Sequence, residues 1–307
     1  MYLPRSASEK LKKLIQYFPA VAITGARQVG KSTLLRQEFG SKYSYFEFDP
    51  AIDLENARTD PDLFLNNHPA PIILDEIQYA PEIVAAIKRR IDKDARPGQF
   101  LLSGSQQWQV MRSLADSLAG RVAFLDLYPF SAIEVAGNAT AVPWIVQWLE
   151  SNGTARFTHR LTNKNTLAEQ LYRGFMPAAN TMPLEMAPDF FKMYERTYIE
   201  RDARAMINVD DSAQFSRFFR LTAALSGREI NYREIGREIG VSSVTARRWI
   251  EALKGTFQWQ DVAAFSRNAL KRISQKPKGY CTDPGILCYA LGISSPQAIL
   301  AHRSEER

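Results

Sequence analysis

The chain has 307 residues, 45% apolar and 23% charged, proportions of a soluble globular protein that exclude a disordered or fibrous one. At about 150 residues per domain, the length predicts about two domains. Lys and Arg outnumber Asp and Glu by 39 to 33, and the net charge of +6 points weakly to an acidic partner such as nucleic acid or nucleotide.

In chain order, Ala20–Thr24 (AVAIT) is a short apolar run that ends at a glycine, and Lys31–Phe39 has helical spacing. Residues 43–48 (YSYFEF) alternate as a strand does, and residues 71–75 (PIILD) have the pattern of a buried strand. Residues 82–91 set Ile83, Ile87 and Ile91 on one helical face, and residues 99–103 (QFLLS) and 121–127 (RVAFLDL) read as two more strands. Strands that alternate with helices predict a mostly parallel sheet covered by helices. From about Gly137 the pattern changes. Residues 137–166 read as an insertion or lid, and 167–208 as mainly helical, broken at Pro177, Pro183 and Pro188. Residues 212–227 form an amphipathic helix with Phe215, Phe218, Phe219, Leu221 and Leu225 as its apolar members. No apolar run approaches the roughly 18 residues of a membrane span. The basic N-terminus lacks the apolar stretch of a signal peptide. Cys281 and Cys288 make neither a disulfide framework nor a zinc site. A reduced, cytoplasmic protein is expected.

Gly25-Ala26-Arg27-Gln28-Val29-Gly30-Lys31-Ser32 has the form G-x-x-x-x-G-K-[ST], with an apolar strand before it and a helix after it. Glycines let backbone N–H groups turn inward around phosphate oxygens, and the positive helix end favours the anion. The loop through Thr33 is therefore expected to bind ATP, with Lys31 on the β- and γ-phosphates and the Ser32 hydroxyl on Mg²⁺. Arg27, in the variable part of the loop, reads as a local structural or surface residue. Forty-four residues after Lys31, an apolar strand ends in Asp75-Glu76. Asp75 is expected to bind the Mg²⁺ shell, directly or through water. Glu76 is expected to polarise the attacking water as a general base. A lone Asp would suggest nucleotide binding; the pair suggests hydrolysis. The strand at Leu101-Leu102 ends in Ser103-Gly104-Ser105-Gln106, so Ser103 or Ser105 is the candidate sensor of the γ-phosphate. Arg121 is a candidate cation for the developing charge, in cis or from a neighbouring subunit.

These residues resemble those of the prokaryotic AAA-type P-loop ATPases that carry a C-terminal domain of unknown function, with a winged-helix part and then a nuclease-like part. The resemblance runs through ITGARQVGKSTLL (23–35), IILDEIQYAPEI (72–83), LLSGSQQ (101–107) and SLAGRVAFLDLYPFSAIE (117–134). It continues with RGFMP (173–177), YIERDAR (198–204) and KRISQKPKGYCTDPGI (271–286). Gln78 and the Pro129-Phe130-Ser131…Glu134 element are specific to this group. The resemblance implies an α/β fold: a parallel P-loop NTPase sheet with an additional strand between the P-loop and Walker B strands, then a helical lid and a winged-helix domain. RGFMP looks like a Gly-x-Pro element that would place Pro177 near the adenine. The expected segments are an ATPase core at 1–136, a lid or insertion at 137–210, a winged helix at 211–270 and a short nuclease-like remnant at 271–307. Two features depart from the family. Pro284 stands where the usual turn is Asp-Thr-Gly, and the acidic residues and lysine of the nuclease-like fold are missing from the sequence. Nuclease activity is not expected, and Asp283 reads as structural.

Residues 231–253 read as helix, tight turn, helix. Asn231 caps the first helix with Glu234 three residues on, Ile235 and Ile239 form one face, and Gly240 suits a left-handed end. Val241 plugs the corner, Ser242 or Ser243 caps the second helix, and Ala246, Ile250 and Leu253 form its buried side. Arg247 and Arg248 then face outward, with Ser243 and Thr245 near the groove end of a helix available to double-stranded DNA. Charge supports this, because residues 211–280 hold 13 Lys+Arg against 6 Asp+Glu, a net of +7, and the rest of the chain sums to −1. The same module also serves as packing or a protein contact in some ATPases. The leading expectation is a Mg²⁺-dependent switch or remodelling ATPase, with ATP and ADP, DNA, a protein partner or a second copy as its partners and no membrane. The alternative is a DNA-binding regulator in which ATP sets conformation with negligible turnover. A small-molecule kinase is disfavoured by the Asp75–Glu76 pair and the C-terminal module.

Overall fold

A computed structural model describes residues 2–48, 52–104, 117–154, 165–199, 212–268, 270 and 275–301. The chain divides into two compact units. The first contains Met1–Thr24 and Val29–Gly104 and runs on to Thr166; the second contains Gly25–Gln28 and Leu167–Arg307.

The first unit begins with α1 (Ala7–Leu14), β1 (Ala20–Thr24), α2 (Lys31–Phe39) and β2 (Ser44–Glu47). It continues with α3 (Ile52–Thr59), α4 (Pro61–Asn67), β3 (Ile72–Asp75), α5 (Ile83–Lys93), β4 (Phe100–Gly104), β5 (Val122–Asp126), α6 (Ala132–Val135) and α7 (Trp144–Glu150). The strands form one parallel sheet in the order β2-β3-β4-β1-β5. β1, β3 and β4 are buried along their whole length, which is why they read as unbroken apolar runs. β2 and β5 close the sheet at its two edges, and their alternation leaves some side chains exposed. β4 lies between β1 and β3, the additional-strand order of a P-loop NTPase sheet. Its register sets Ser103 beside Ile23, and Leu102 beside both Ala22 and Leu74. The C-terminal ends of β1 and β3 therefore reach the same edge. Ile83, Ile87 and Ile91 of α5 are buried, as their spacing predicts. α7 has no buried residue, and Trp144 and Leu149 are about three-fifths exposed. Gln147 and Glu150, three residues apart, share one face of it, and its apolar residues are left on the surface.

The second unit holds α8 (Leu167–Arg173), α9 (Pro177–Thr181), α10 (Ala187–Tyr194), a π-helical turn at Glu195–Ile199 and α11 (Ser212–Ala224). Then come α12 (Tyr232–Ile239), α13 (Ser243–Gly255), β6 (Trp259–Val262), β7 (Lys278–Cys281), α14 (Pro284–Ala290) and α15 (Pro296–Ala301). Pro177 and Pro188 occupy first-turn positions of α9 and α10, and Pro183 caps the short turn Leu184–Met186. These prolines begin helices rather than break them, because the first turn needs no N–H from them. Phe215, Phe218 and Phe219 of α11 are buried, and Phe215 and Phe218 meet the Trp249 ring edge-on at 5.6 and 5.1 Å between centroids. α12 packs on α13, and β6 pairs antiparallel with β7. By contacts, the residues after β5 up to Thr166 group with the sheet, and Leu167–Arg307 group together. Within 271–307, β7 completes the ribbon, α14 packs on α8, α10 and α11, and α15 packs on α8. Pairings between short elements this far apart in the chain carry no compositional mark in a sequence.

Asp283 ties this unit together. It is fully buried and caps α14 by accepting the N–H groups of Gly285 (2.8 Å) and Ile286 (3.3 Å). Its other oxygen accepts the N–H of Phe175 (2.8 Å), in the RGFMP turn. The usual Asp-Thr-Gly turn is not needed here, since Pro284 sits at a first-turn position where a missing donor costs nothing.

Candidate functional site

The glycine-rich loop joins β1 to α2. Gln28 has φ 62° and Gly30, the residue before α2, has φ 93°, so the loop turns through two left-handed positions before the helix starts. Lys31 is the first residue of α2 and is 4% exposed; Ser32 is half-buried and Thr33 exposed. Gly25, Ala26 and Val29 are buried, and Arg27 and Gln28 lie nearer the surface. A half-turn of backbone that presents N–H groups at the start of a nine-residue helix is a cradle for phosphate oxygens. Arg27 acts through its backbone: its carbonyl accepts the Tyr194 hydroxyl at 3.0 Å, and Gly25–Gln28 group by contacts with the second unit. The Gln258 amide in turn donates to the Tyr194 oxygen at 3.4 Å. Sequence reasoning missed Tyr194, since an aromatic residue on an amphipathic helix reads as core.

Asp75 ends β3 and has no exposed surface. β1 and β3 flank β4, so Asp75 lies about 10 Å across the sheet from the end of β1, two strand spacings away. Its Oδ1 accepts the Ser103 hydroxyl and the Glu76 N–H (3.1 Å), and its Oδ2 accepts the Tyr45 hydroxyl. These bonds occupy three of the carboxylate's about four lone-pair positions and fix its plane. Burial, and then the bond to Asp75, push the Tyr45 hydroxyl well above the ordinary tyrosine range, so it stays a donor. The Arg36 guanidinium covers the Tyr45 ring at 4.1 Å and pairs with Glu47 at 2.6 Å. Tyr45 has only a weak sequence signal: it sits in an alternating strand whose neighbour proves to be β3. Of the two sensor candidates, Ser103 is fully buried and turned onto Asp75. Ser105 lies outside the described residues.

Glu76 follows at φ 56° and opens a short turn at Ile77–Tyr79. A left-handed backbone is costly for a glutamate and marks a site that the surrounding structure holds in place. Its carboxylate accepts the Gln78 side-chain amide. Gln78 thus has a structural partner in the residue that sequence reasoning placed beside it.

Arg121 lies away from the glycine-rich loop of its own chain. It immediately precedes β5, whose first residue pairs with Ala20 at the start of β1, so it lies at the opposite sheet edge from the glycine-rich loop. There it donates to Asp92 (2.5 Å) and to the Ala119 carbonyl (3.1 Å). A five-residue strand spans about 16 Å, so no arginine side chain at its start reaches the loop within one chain. Pro177 starts α9 beside the RGFMP turn that Asp283 holds.

In the second unit, the Asn231 side chain accepts the Glu234 N–H, Gly240 adopts φ 80°, and the Val241 N–H bonds back to the Gly236 carbonyl at 2.8 Å. Of the two candidate caps for α13, it is Ser242 that accepts the Thr245 N–H, at 3.0 Å. Ala246, Trp249, Ile250 and Leu253 are buried; Ser243, Arg247 and Arg248 are exposed. Thr245 is half-buried, with its hydroxyl against that of Ser242 at 2.9 Å. Val244, not singled out from the sequence, is 68% exposed on the same surface.

Residues 17–136 match the model of an AAA domain. The first unit has the fold of a P-loop NTPase. Residues 164–297 match a domain of unknown function, DUF8612. Uncharacterized proteins of Mycobacterium bovis and Mycobacterium tuberculosis are 27% identical to the chain over 296 residues, which is 96% of this chain and 61% of theirs. The chain therefore spans about three-fifths of the length of these curated relatives. Among solved structures, the Walker-type ATPase of Pyrococcus abyssi is similar in fold, with a TM-score of 0.52 and 15% identity over 92% of this chain and 94% of that one. No helix among the described residues is long and apolar enough to cross a membrane.

Proposed function

We propose that the chain binds ATP with Mg²⁺ at the β1–α2 loop and hydrolyses its γ-phosphate, and that α12 and α13 form the helix-turn-helix of a winged module that contacts double-stranded DNA. The observation that carries the first half is the placement of Lys31 at the start of α2 and of Asp75–Glu76 at the end of β3, on one edge of the sheet. The donors fit the ion: the Ser32 hydroxyl and the Asp75 carboxylate are hard oxygen ligands of the kind Mg²⁺ takes alongside phosphate and water. When bound, Mg²⁺ supplies charge neutralisation at the phosphates. The loop N–H groups and Lys31 hold the phosphates, Tyr45 and Ser103 keep the Asp75 carboxylate aimed, and Glu76 takes the proton of the attacking water. The AAA-domain match supports the reading.

The second half rests on the exposed Arg247 and Arg248 of α13, the antiparallel ribbon of β6 and β7 beside it, and the local excess of positive charge. One contact favours a second reading. The Gln78 amide on the Glu76 carboxylate suits a protein in which turnover is held low and ATP sets conformation. Nucleotide binding and phosphate release are the test. Wild type is expected to bind and hydrolyse Mg-ATP and Lys31→Ala to do neither; a Lys31→Ala protein that binds ATP like wild type would refute the assignment of the loop.

A further inference from the structure

Arg5 lies ahead of the residues that match the AAA domain, yet its side chain is buried and all three guanidinium nitrogens donate inside the first unit. Nε donates to Glu134 Oε1 at 3.2 Å, Nη1 to the Val29 carbonyl at 2.8 Å, and Nη2 to the carbonyls of Tyr128 (2.6 Å) and Pro129 (3.5 Å). The guanidinium also lies 4.7 Å from the centroid of the Phe130 ring. Glu134 is buried too. It accepts the N–H groups of Ser6 and Ser131, each at 2.7 Å, while the Ser131 hydroxyl caps the Glu134 N–H at 3.3 Å. The Pro129-Phe130-Ser131…Glu134 element thus has a task that its sequence did not reveal: it seats Arg5.

The consequence lies in Val29. The peptide unit is planar and trans, so a carbonyl held in one direction fixes the next N–H in the opposite one. Arg5 holds the Val29 carbonyl, and this turns the Gly30 N–H away from Arg5, at the start of α2 where an anion binds. Gly30 has φ 93°, a backbone that is soft in glycine and needs an external hold. We propose that Arg5 is a positioning residue for the nucleotide site. It locks the Val29–Gly30 peptide with its N–H presented to phosphate, so the segment ahead of α1 is part of the phosphate cradle. The proposal rests on the reading that this loop binds ATP.

Arg5→Lys is the informative substitution. Lysine keeps a positive charge for Glu134 but lacks the planar fork that reaches the carbonyls of Val29 and Tyr128 together. The measurements are Mg-ADP affinity by calorimetry, ATPase kinetics and thermal melting, on wild type, Arg5→Lys and Glu134→Gln. Arg5→Lys is expected to stay folded, with ADP affinity and the KM for ATP worsened about tenfold and kcat reduced less than about threefold, the loss of one charge-assisted bond. Glu134→Gln, which retains Arg5 and loosens one of its anchors, is expected to weaken ADP about threefold; it serves as the test if Arg5→Lys does not fold. Folded variants that bind ADP like wild type overturn the proposal alone. Failure of the wild type to bind ADP overturns the nucleotide reading and the proposal with it.

Discussion

Asp75 shows how a site residue is built. A carboxylate at the end of a buried strand needs partners, and Ser103, Tyr45 and the Glu76 N–H supply them from β4, β2 and the turn. Tyr45→Phe deletes one donor without changing shape. The Mg²⁺ concentration at half-maximal ATP turnover is expected to rise about tenfold, as when outer partners of a metal ligand are lost, with little change in melting temperature. A Mg²⁺ titration of turnover checks this; an unchanged half-point would show that Tyr45 does not orient Asp75. At this scale the sequence was legible wherever chemistry follows a linear spacing, as in Gly25–Ser32 and the Asp75–Glu76 pair. Arg5, Tyr45 and Tyr194 come from distant chain positions and join the loop or Asp75 only after folding. Arg121 could not be placed from sequence, because a cation before a strand is the same string of letters at either end of a sheet.

Elements carry two further expectations. α12 packs closely at Gly236 on the turn that leads into α13, where an added Cβ would lie 2.7 Å from the Val241 carbonyl oxygen. Gly236→Ala is therefore expected to destabilise the second unit by roughly 1–3 kcal/mol, read as an earlier denaturation midpoint; an unchanged midpoint would mean the turn relaxes freely. Asp283 gives a pH dependence. Burial raises its carboxyl to about 6 from the ordinary 3.8, outweighing the backbone N–H groups that favour the anion. The folded chain then holds a proton that the unfolded chain has released. The contribution to stability is fully present below about pH 4 and is lost as pH rises through about 6. Wild type is expected to lose more stability than Asp283→Asn between these limits, measured by denaturant melts; parallel curves for the two would contradict it. The strands and α2 could be read from sequence because burial on both faces or a helical period leaves a pattern. α7 could not, since its apolar residues face no core, and α14 could not, since its identity depends on the Asp283 cap.

The whole molecule joins a unit that matches the AAA-domain model to a second unit that carries the packed helices α12 and α13 and the chain's local positive excess. By contacts the first unit runs past the change in composition at Gly137, on to Thr166. Composition marks solvent exposure, and residues 137–154 have little of their surface buried whichever unit they join. The positive excess in 211–280 makes a quantitative expectation. Binding of a DNA duplex, followed by anisotropy across several salt concentrations, is expected to have a negative log–log slope that becomes shallower by about two units when Arg247 and Arg248 are both replaced by Ala. A slope that the double variant leaves untouched would remove α13 from the interface.

The central claim is that Glu76 turns a nucleotide-binding loop into a hydrolytic site. Glu76→Gln keeps the shape of the side chain and removes its ability to accept a proton. Phosphate release, measured with ATP binding on the same preparation, is expected to fall about 10²-fold or more while affinity for Mg-ATP stays at the wild-type level. A Glu76→Gln protein that hydrolyses ATP at the wild-type rate would contradict the account.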